Sequence, residues 1–301
     1  MGHGMGRQEW ERCCQGMEDR VRGERAGRRV NCGTDALGLF WEAMRHLLLV
    51  VGILLGAGIC AGPQAGAQDN QKVQYFLLEE TTVRGGMGGQ FEAAQKDYCA
   101  AVVRGGAPAC LVFSTATFGK SGLYWTLLPF SSFIHYDQGK YTDKGLTPEQ
   151  AKELSARRVP TIESNKESAI ALELDSSLAP TGSNAEYPLN VVTEYQLKPG
   201  MTSQFLGTVK KTLLPGAKKG GAVALEVFTT RMGESPERVL VVTRHKKFEE
   251  LDGADAILAG MSKLERNTWE SLFATYFQHR ETYVMRYRAD ISDDPRAGEA
   301  K

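Results

Sequence analysis

The chain has 301 residues, of which 42% are hydrophobic, 24% charged and 9% aromatic. That is enough for two domains of about 100 to 150 residues and excludes a disordered, collagenous or multi-span membrane sequence. Lysine plus arginine and aspartate plus glutamate each total 36, so bulk charge attracts neither nucleic acid nor an anionic membrane; no nucleic-acid partner is expected.

Residues 1–43 are rich in glycine and arginine and, apart from an apolar patch at Ala36–Trp41, lack sustained periodicity. They read as a disordered extension, or as a start assigned too early ahead of Met44. From Met44, Arg45 and His46 the chain enters an uncharged run, LLLVVGILLGAGICAG over 47–62, then reaches Ala65-Gly66-Ala67. A positive start, an apolar stretch and a small-x-small site make 44–67 a secretory signal peptide. The product is expected to be exported, periplasmic or extracellular. A retained anchor fits poorly, because 16 apolar residues at 1.5 Å each span roughly 24 Å against a ~30 Å hydrocarbon core. No stable membrane anchor is therefore expected after cleavage.

Of the six cysteines, Cys13, Cys14, Cys32 and Cys60 fall within the first 67 residues, leaving Cys99 and Cys110. In an oxidising compartment these form one disulfide, or else they are two buried thiols at the apolar ends of neighbouring elements.

Beyond residue 71 the sequence repeats itself. QFEAAQKDYCAAVVRGGAPACLVFSTATFG from Gln90 matches QFLGTVKKTLLPGAKKGGAVALEVFTTRMG from Gln204. Phe113 corresponds to Phe228, Phe133 to Phe248 and Asp137 to Asp252, each 115 residues apart; Ile170 and Leu172 match Met285 and Tyr287 at the same offset. Two repeats, 72–176 and 189–291, are expected, with a polar linker (177–188) and a flexible tail (292–301). Each reads strand, helix, strand, strand, helix, strand. In the first, the second helix starts at Thr147, with Pro148 at its first position and Gln150 completing a capping box, and Pro160 breaks it. In the second, Val192–Leu197 is a strand, and Phe205, Val209 and Leu213 follow helical spacing until Pro215 and Gly216 stop the helix. Val223–Thr229 and Val239–Thr243 are strands. Leu258, Met261, Leu264, Trp269, Leu272, Phe273 and Tyr276 make the apolar face of a second helix, and Thr282–Arg288 is the last strand.

This order is ferredoxin-like, with both helices on one face of an antiparallel sheet. Leu111–Phe113, Leu123–Leu128 and Val239–Val242 are apolar on both faces, so the open sheet faces need each other. The expected fold is α+β: two ferredoxin-like βαββαβ repeats packed sheet to sheet.

Tyr195-Gln-Leu-Lys-Pro-Gly200, the helix near Gln204, and the strand ending Thr243-Arg244-His245 before Phe248 and Asp252 resemble the NIPSNAP and antibiotic-monooxygenase-like branch of the dimeric α+β barrels. The resemblance covers about residues 72–291 and implies an intramolecular dimeric α+β barrel. The first repeat departs from it at Glu79–Gly89, where four glycines replace the Leu-Lys-Pro-Gly turn. The resemblance also implies a pocket between sheet and helices, for which Tyr124, Trp125, His135 and Tyr136 are the candidates in the first repeat and Tyr195, Trp269 and Tyr276 in the second. Plain core is the competing role for these aromatics.

Some relatives hold haem through a histidine, and His279, placed at the polar end of the last helix, would be the candidate; no cofactor is otherwise expected. His135, His245 and His279 have no ligand cluster around them, which argues against a metal site. Arg84–Phe91 (RGGMGGQF) lacks the lysine and the parallel frame of a phosphate loop and suits a connection or a loop over the barrel mouth. Arg231, Arg244, Arg286 and Arg288 could gather at one sheet edge or pair with surface carboxylates. The leading functional expectation is an exported binder of a small apolar or aromatic molecule. A cofactor-independent monooxygenase-like enzyme and a non-catalytic scaffold are the alternatives.

Overall fold

The computed structural model describes residues 73–253 and 255–295. The extension over 1–43, the signal peptide over 44–67 and the chain from 296 onward lie outside the described residues. Among the described residues no helix is long and apolar enough to cross a membrane.

The first half runs β1 (Gln74–Val83), α1 (Gly88–Arg104), β2 (Leu111–Thr115), β3 (Leu123–Phe130), the short helices α2 (Ile134–Asp137) and α3 (Tyr141–Gly145), α4 (Pro148–Arg158) and β4 (Ile162–Leu172). The second runs β5 (Leu189–Leu197), α5 (Thr202–Thr208), a π turn (Val209–Leu213), α6 (Leu214–Gly220), β6 (Leu225–Met232), β7 (Arg238–His245), α7 (Ala256–Ala259), α8 (Lys263–Tyr276) and β8 (Phe277–Tyr287). Local chemistry explains several boundaries. Thr147 Oγ1 accepts from the Gln150 N–H at 3.3 Å while Gln150 Oε1 accepts from the Thr147 N–H at 3.0 Å, so the capping box forms at the start of α4. Pro160 sits in the single 3₁₀ turn that ends that helix.

Pro215 does not stop its helix. The chain stays helical to Gly220 because the π turn precedes the proline, with the Leu214 N–H reaching back five residues to the Val209 carbonyl. The π turn has a readable origin. Phe91 and Phe205, both fully buried, lie 114 residues apart, whereas Gly105 and Gly220 at the far ends of the two helical segments lie 115 apart. The second segment thus carries one extra residue, and a π turn absorbs one residue while keeping both flanking faces in phase. The phase matters because these glycines admit close crossings. A Cβ on Gly105 would stand 1.9 Å from the Tyr141 carbonyl oxygen, and one on Gly220 would stand 1.7 Å from that of Ala256.

The last helical face also differs from expectation. α7 and α8 are separate helices, Leu264 is 76% exposed and takes no part in the buried face, and β8 begins at Phe277, so His279 is on a strand rather than at a helix end. The chain past Ile291, expected as a tail from 292, is pinned to β2 as far as Asp293: its carbonyl accepts from the Cys110 N–H at 2.7 Å, and Ser292 Oγ accepts from the Val112 N–H at 2.9 Å.

All eight strands form one closed antiparallel barrel in the order β1-β3-β2-β8-β5-β7-β6-β4. The first half supplies the arc β4-β1-β3-β2 and the second the arc β8-β5-β7-β6. The arcs meet edge to edge, through Phe113–Thr115 of β2 on β8 and Ala169–Leu172 of β4 on β6. This differs from two separate stacked sheets. Because successive strand residues face opposite ways, one set of side chains fills the barrel (Phe76, Leu78, Phe113, Trp125, Phe228 and Leu240 among them). The other set packs outward under helices. Val112, Tyr124 and Leu128 meet α1, and Val227, Val239 and Val241 lie in one core with Phe205, Val209 and Ala217.

Two covalent or charged ties hold the first half's outer layer. Cys99 on α1 and Cys110 before β2, both fully buried, are joined by a disulfide with a Cα–Cα separation of 5.2 Å. Arg288, just past β8, holds Glu92 on α1 and, through Nη2 at 2.7 Å, Asp290. Replacing both cysteines with serine should lower stability in urea by about 2 to 3 kcal/mol; a loss below about 0.5 kcal/mol would show the cross-link to be idle. Hydrogen bonding to Arg288 holds both Glu92 and Asp290 below their ordinary values of 4.5 and 3.8. Carboxylates depressed in this way stabilise the fold above the ordinary range and lose that contribution as pH falls through their folded values. Arg288→Gln should therefore melt below the parent at pH 7, with the gap closing as pH falls below the ordinary carboxylate values of 4.5 and 3.8; a gap independent of pH would contradict the assignment.

Candidate functional site

The barrel interior divides into two unlike ends. At the end where β1, β2, β5 and β6 begin, apolar residues enclose a cavity of about 510 Å³, walled by Phe76, Phe113, Trp125, Phe228, Leu240 and Met285. Its polar lining is sparse. Arg244 on β7 is held by Glu226 on β6 in a bidentate pair at 2.8 and 2.9 Å, and Asn190 on β5 stands beside them, 4% exposed.

The connection from Glu173 to Pro188 completes this end. Leu178 forms a bridge with Leu225, and Ser177 Oγ accepts from the Val227 N–H at 3.0 Å, so the segment runs along β6 past the end of β4. Glu173 anchors its start by accepting from Thr229 Oγ1 at 2.5 Å and Arg231 Nη2 at 2.8 Å. Leu178, Pro180 and Asn184 then line the cavity. The segment read from composition as a plain linker is a wall of the site.

The other end is charged. Arg238 opens β7, is 5% exposed, and donates to both oxygens of Glu80 at 2.7 and 2.8 Å and to Glu194 at 2.9 Å. Tyr283 Oη donates to the same Glu194 at 3.2 Å. Burial opposes the charge on Arg238, but the hydrogen bonds and fields of the two glutamates outweigh it and raise its pKa. Burial first, and then the Glu194 charge, push the Tyr283 hydroxyl far above the ordinary range. Glu80 comes from the first half and the other three from the second, so the cluster ties the halves together across the interior. Glu80 and Glu194 occupy matching places 114 residues apart, and a single arginine serves both.

Of the aromatic and histidine candidates, the structure brings only Trp125 to the cavity. Tyr124, its neighbour in the strand, faces the helices: its ring lies 4.7 Å from Phe91, and its hydroxyl donates to Glu92 at 2.7 Å. Burial, then Glu92, pushes that hydroxyl up to about 12. His135 and Tyr136 on α2 line a separate hollow of about 180 Å³ outside the barrel, with Tyr98, Glu79 and Arg158. There His135 stacks on Tyr141 at 3.7 Å and burial lowers its pKa, while burial pushes Tyr136 up to about 12. Tyr195 and Trp269 are buried in the outer core of the second half with Phe205 and Phe277, and Tyr276 is packed against that core. Burial pushes the Tyr195 hydroxyl up to about 12. Only His135 and Tyr136 share a hollow between sheet and helices, and the 510 Å³ cavity lies inside the barrel instead.

The remaining sequence candidates also separate. His279 is exposed on β8 opposite Gln196, and the cavity wall carries no histidine, so the residues present do not fit a histidine-ligated haem there. Among the described residues no group of histidine, cysteine and carboxylate side chains could hold a metal ion. Arg84–Phe91 leads into α1 and does not line the cavity. Arg231, Arg244 and Arg288 are each held by glutamates on different elements, and Arg286 lies 5.8 Å over the Phe248 ring. Sequence reasoning missed Glu80, Arg238 and Glu194. Their signal is strand parity: Glu80 is in phase with Phe76 and Leu78, Glu194 with Val192, and Arg238 with Leu240 and Val242, all of which face the barrel interior.

No protein-family model and no curated protein matches the chain. Among solved structures, an anthrone oxidase-like protein superposes with a TM-score of 0.55 at 11% identity, covering 75% of this chain and 95% of its own. A candidate monooxygenase from Fusobacterium nucleatum superposes with a TM-score of 0.53 at 11% identity, covering 75% of this chain and 96% of its own. The chain shares with them a mixed α+β fold built on an eight-stranded antiparallel barrel. At such identity the likeness carries the fold and no activity.

In this barrel the charged cluster makes a sharp stability prediction. Arg238→Ala leaves Glu80 and Glu194 in the interior without their cation, and breaking a buried pair from one side costs about 3 to 5 kcal/mol. Urea unfolding at pH 7 measures it, and a loss under about 1 kcal/mol would show that water already screens the cluster.

Proposed function

We propose that the chain is an exported protein that binds one small, largely apolar or aromatic molecule inside its barrel. The observation that carries the reading is the cavity itself: about 510 Å³, walled by apolar side chains with few polar groups, a size and character typical of small-molecule sites. Export rests on the apolar run and small-x-small site at 44–67, and the disulfide between Cys99 and Cys110 suits an oxidising compartment. We take the two halves to be ferredoxin-like units copied in tandem, as in the NIPSNAP-like branch. Matched strand orders and the paired crossing glycines, Gly105 with Gly220 and Gly145 with Gly260 at one offset of 115, support that origin.

A second reading, a cofactor-independent monooxygenase acting on a molecule held in the same cavity, is favoured by the anthrone oxidase-like and monooxygenase neighbours. A scaffold whose barrel is filled by its own side chains is disfavoured by the open volume. Native mass spectrometry of the protein recovered from the periplasm or medium tests the first reading. The expected species is a chain beginning after Ala67, carrying a small molecule released on denaturation. Val242→Trp, which puts an indole into the cavity, should weaken binding of that molecule by about tenfold or more, equivalent to 1.4 kcal/mol. Ligand-free protein that also fails to bind any apolar probe would overturn it. Oxygen uptake with quinol substrates separates enzyme from binder.

A further inference from the structure

The hollow outside the barrel in the first half is built of rings. Phe130 ends β3, His135 and Tyr136 lie on α2, Tyr141 opens α3 and Tyr98 comes from α1, and all five border its volume of about 180 Å³. Their planes differ. Tyr136 is edge-on to Phe130 at 5.5 Å and 86°, and His135 lies at 66° to Tyr136 while stacking on Tyr141 at 3.7 Å. Rings at such angles wall a space from several sides, and solvent reaches its rim at Tyr136, which is 40% exposed. The fold does not require these rings. A hollow of about 220 Å³ lies at the matching place of the second half, where His245, Glu250, Asp255 and Ala256 stand 115 residues on from Phe130, His135, Lys140 and Tyr141. No phenylalanine or tyrosine lines it, so packing of helices on the sheet does not account for the aromatic lining of the first.

The first hollow also carries a charge left over. Glu79 and Glu167 lie directly opposite in the β1–β4 ladder, hence on the same outward face, where like charges oppose each other. Arg158, at the end of α4, answers only Glu79, at 2.8 Å, and the Tyr98 hydroxyl donates to the other Glu79 oxygen. Glu167 borders the hollow with no ion-pair partner among the described residues. Burial first, and then Tyr141, Glu167 and Glu79, push the Tyr136 hydroxyl up to about 12, so both carboxylates are felt at the ring wall. A cation is drawn to the faces of aromatic rings, most strongly where water is excluded, and an unanswered carboxylate beside them adds to that pull.

We infer that this hollow binds a small organic cation of the methylated-ammonium class, its head among Phe130, Tyr136 and Tyr141 and its charge answered by Glu167. The site is separate from the barrel cavity and does not rest on the role proposed for that cavity. Lys140 also borders the hollow without an ion-pair partner among the described residues, which makes the chain's own ammonium the rival occupant.

The test titrates choline and its uncharged isostere, 3,3-dimethyl-1-butanol, into the purified protein. It follows the ring resonances of His135 and Tyr141, neither of which lines the barrel cavity. Choline should shift them, show nuclear Overhauser contacts from its N-methyl protons to the ring protons, and bind at least about fivefold more tightly than the butanol. Glu167 is exposed, so Glu167→Gln should fold as the parent does; it should weaken choline about threefold or more and leave the butanol unchanged. Lys140→Gln should hold or tighten choline. Equal affinity for the two compounds, ring resonances that choline leaves in place, or a choline affinity that Glu167→Gln does not lower would overturn the inference. Choline binding that appears only in Lys140→Gln would overturn it as well, because the lysine would then fill the hollow itself.

Discussion

Each four-stranded arc ends in two strands whose outer N–H and C=O groups have no partner within their own half, β2 and β4 in the first and β6 and β8 in the second. An exposed edge of that kind templates further strand pairing. Here the two arcs consume each other's edges, Phe113–Thr115 against β8 and Ala169–Leu172 against β6, and the sheet closes. Closure makes an inside. It is why Phe76, Phe113, Trp125 and Phe228 can be buried away from any helix, and why the same strands bury a second apolar set under α1, α5 and α6. Both seams depend on register, since a slip of one residue would send the barrel-facing set outward.

The charged end follows from the same geometry. In an open sheet Glu80 and Glu194 would reach water at mid-strand; in a closed barrel they converge, and a cation must meet them. Arg238 does so from the first position of β7, where it can hold a carboxylate from each half. A buried pair of this sort contributes little net stability against an apolar substitute but discriminates strongly between arrangements. A barrel shifted by two residues at either seam would separate Glu80 from Arg238, so the cluster acts on register where the short seams alone specify it weakly.

Local features were legible in sequence where local chemistry decides them: the Thr147 capping box, the two-sided apolar character of β3 and β7, and the order of elements in each half. The site was legible only in part, because it depends on which face of a strand meets which. Tyr124 and Trp125 were both candidates for one pocket, yet adjacent strand residues face opposite ways, and strand parity alone would have separated them. His279 was misplaced because the helical apolar pattern was carried past Tyr276, where β8 takes over for pairing with β5. Pro215 misled because a missing N–H stops a regular helix, and nothing local announces a π turn. The one-residue difference between the spacings of Phe91 to Gly105 and Phe205 to Gly220 did announce it, at long range. Location of the cavity required closure, which no single segment encodes.

The survival of the cavity is itself informative. At about 24 cal/mol per Å³, a sealed, dry void of about 510 Å³ would cost on the order of 12 kcal/mol, comparable with the whole stability of a typical domain; this cavity opens to solvent instead. Such a volume persists in a folded chain only if something other than vacuum occupies it. The wall is largely but not uniformly apolar: the Arg244–Glu226 pair, Asn190 and Asn184 gather where the connecting segment lines one end. Larger side chains at Val192 or Val242 would fill the space at little chemical expense, and the chain carries valine at both. A barrel built only for rigidity would gain from that filling, and the two valines leave the gain unclaimed.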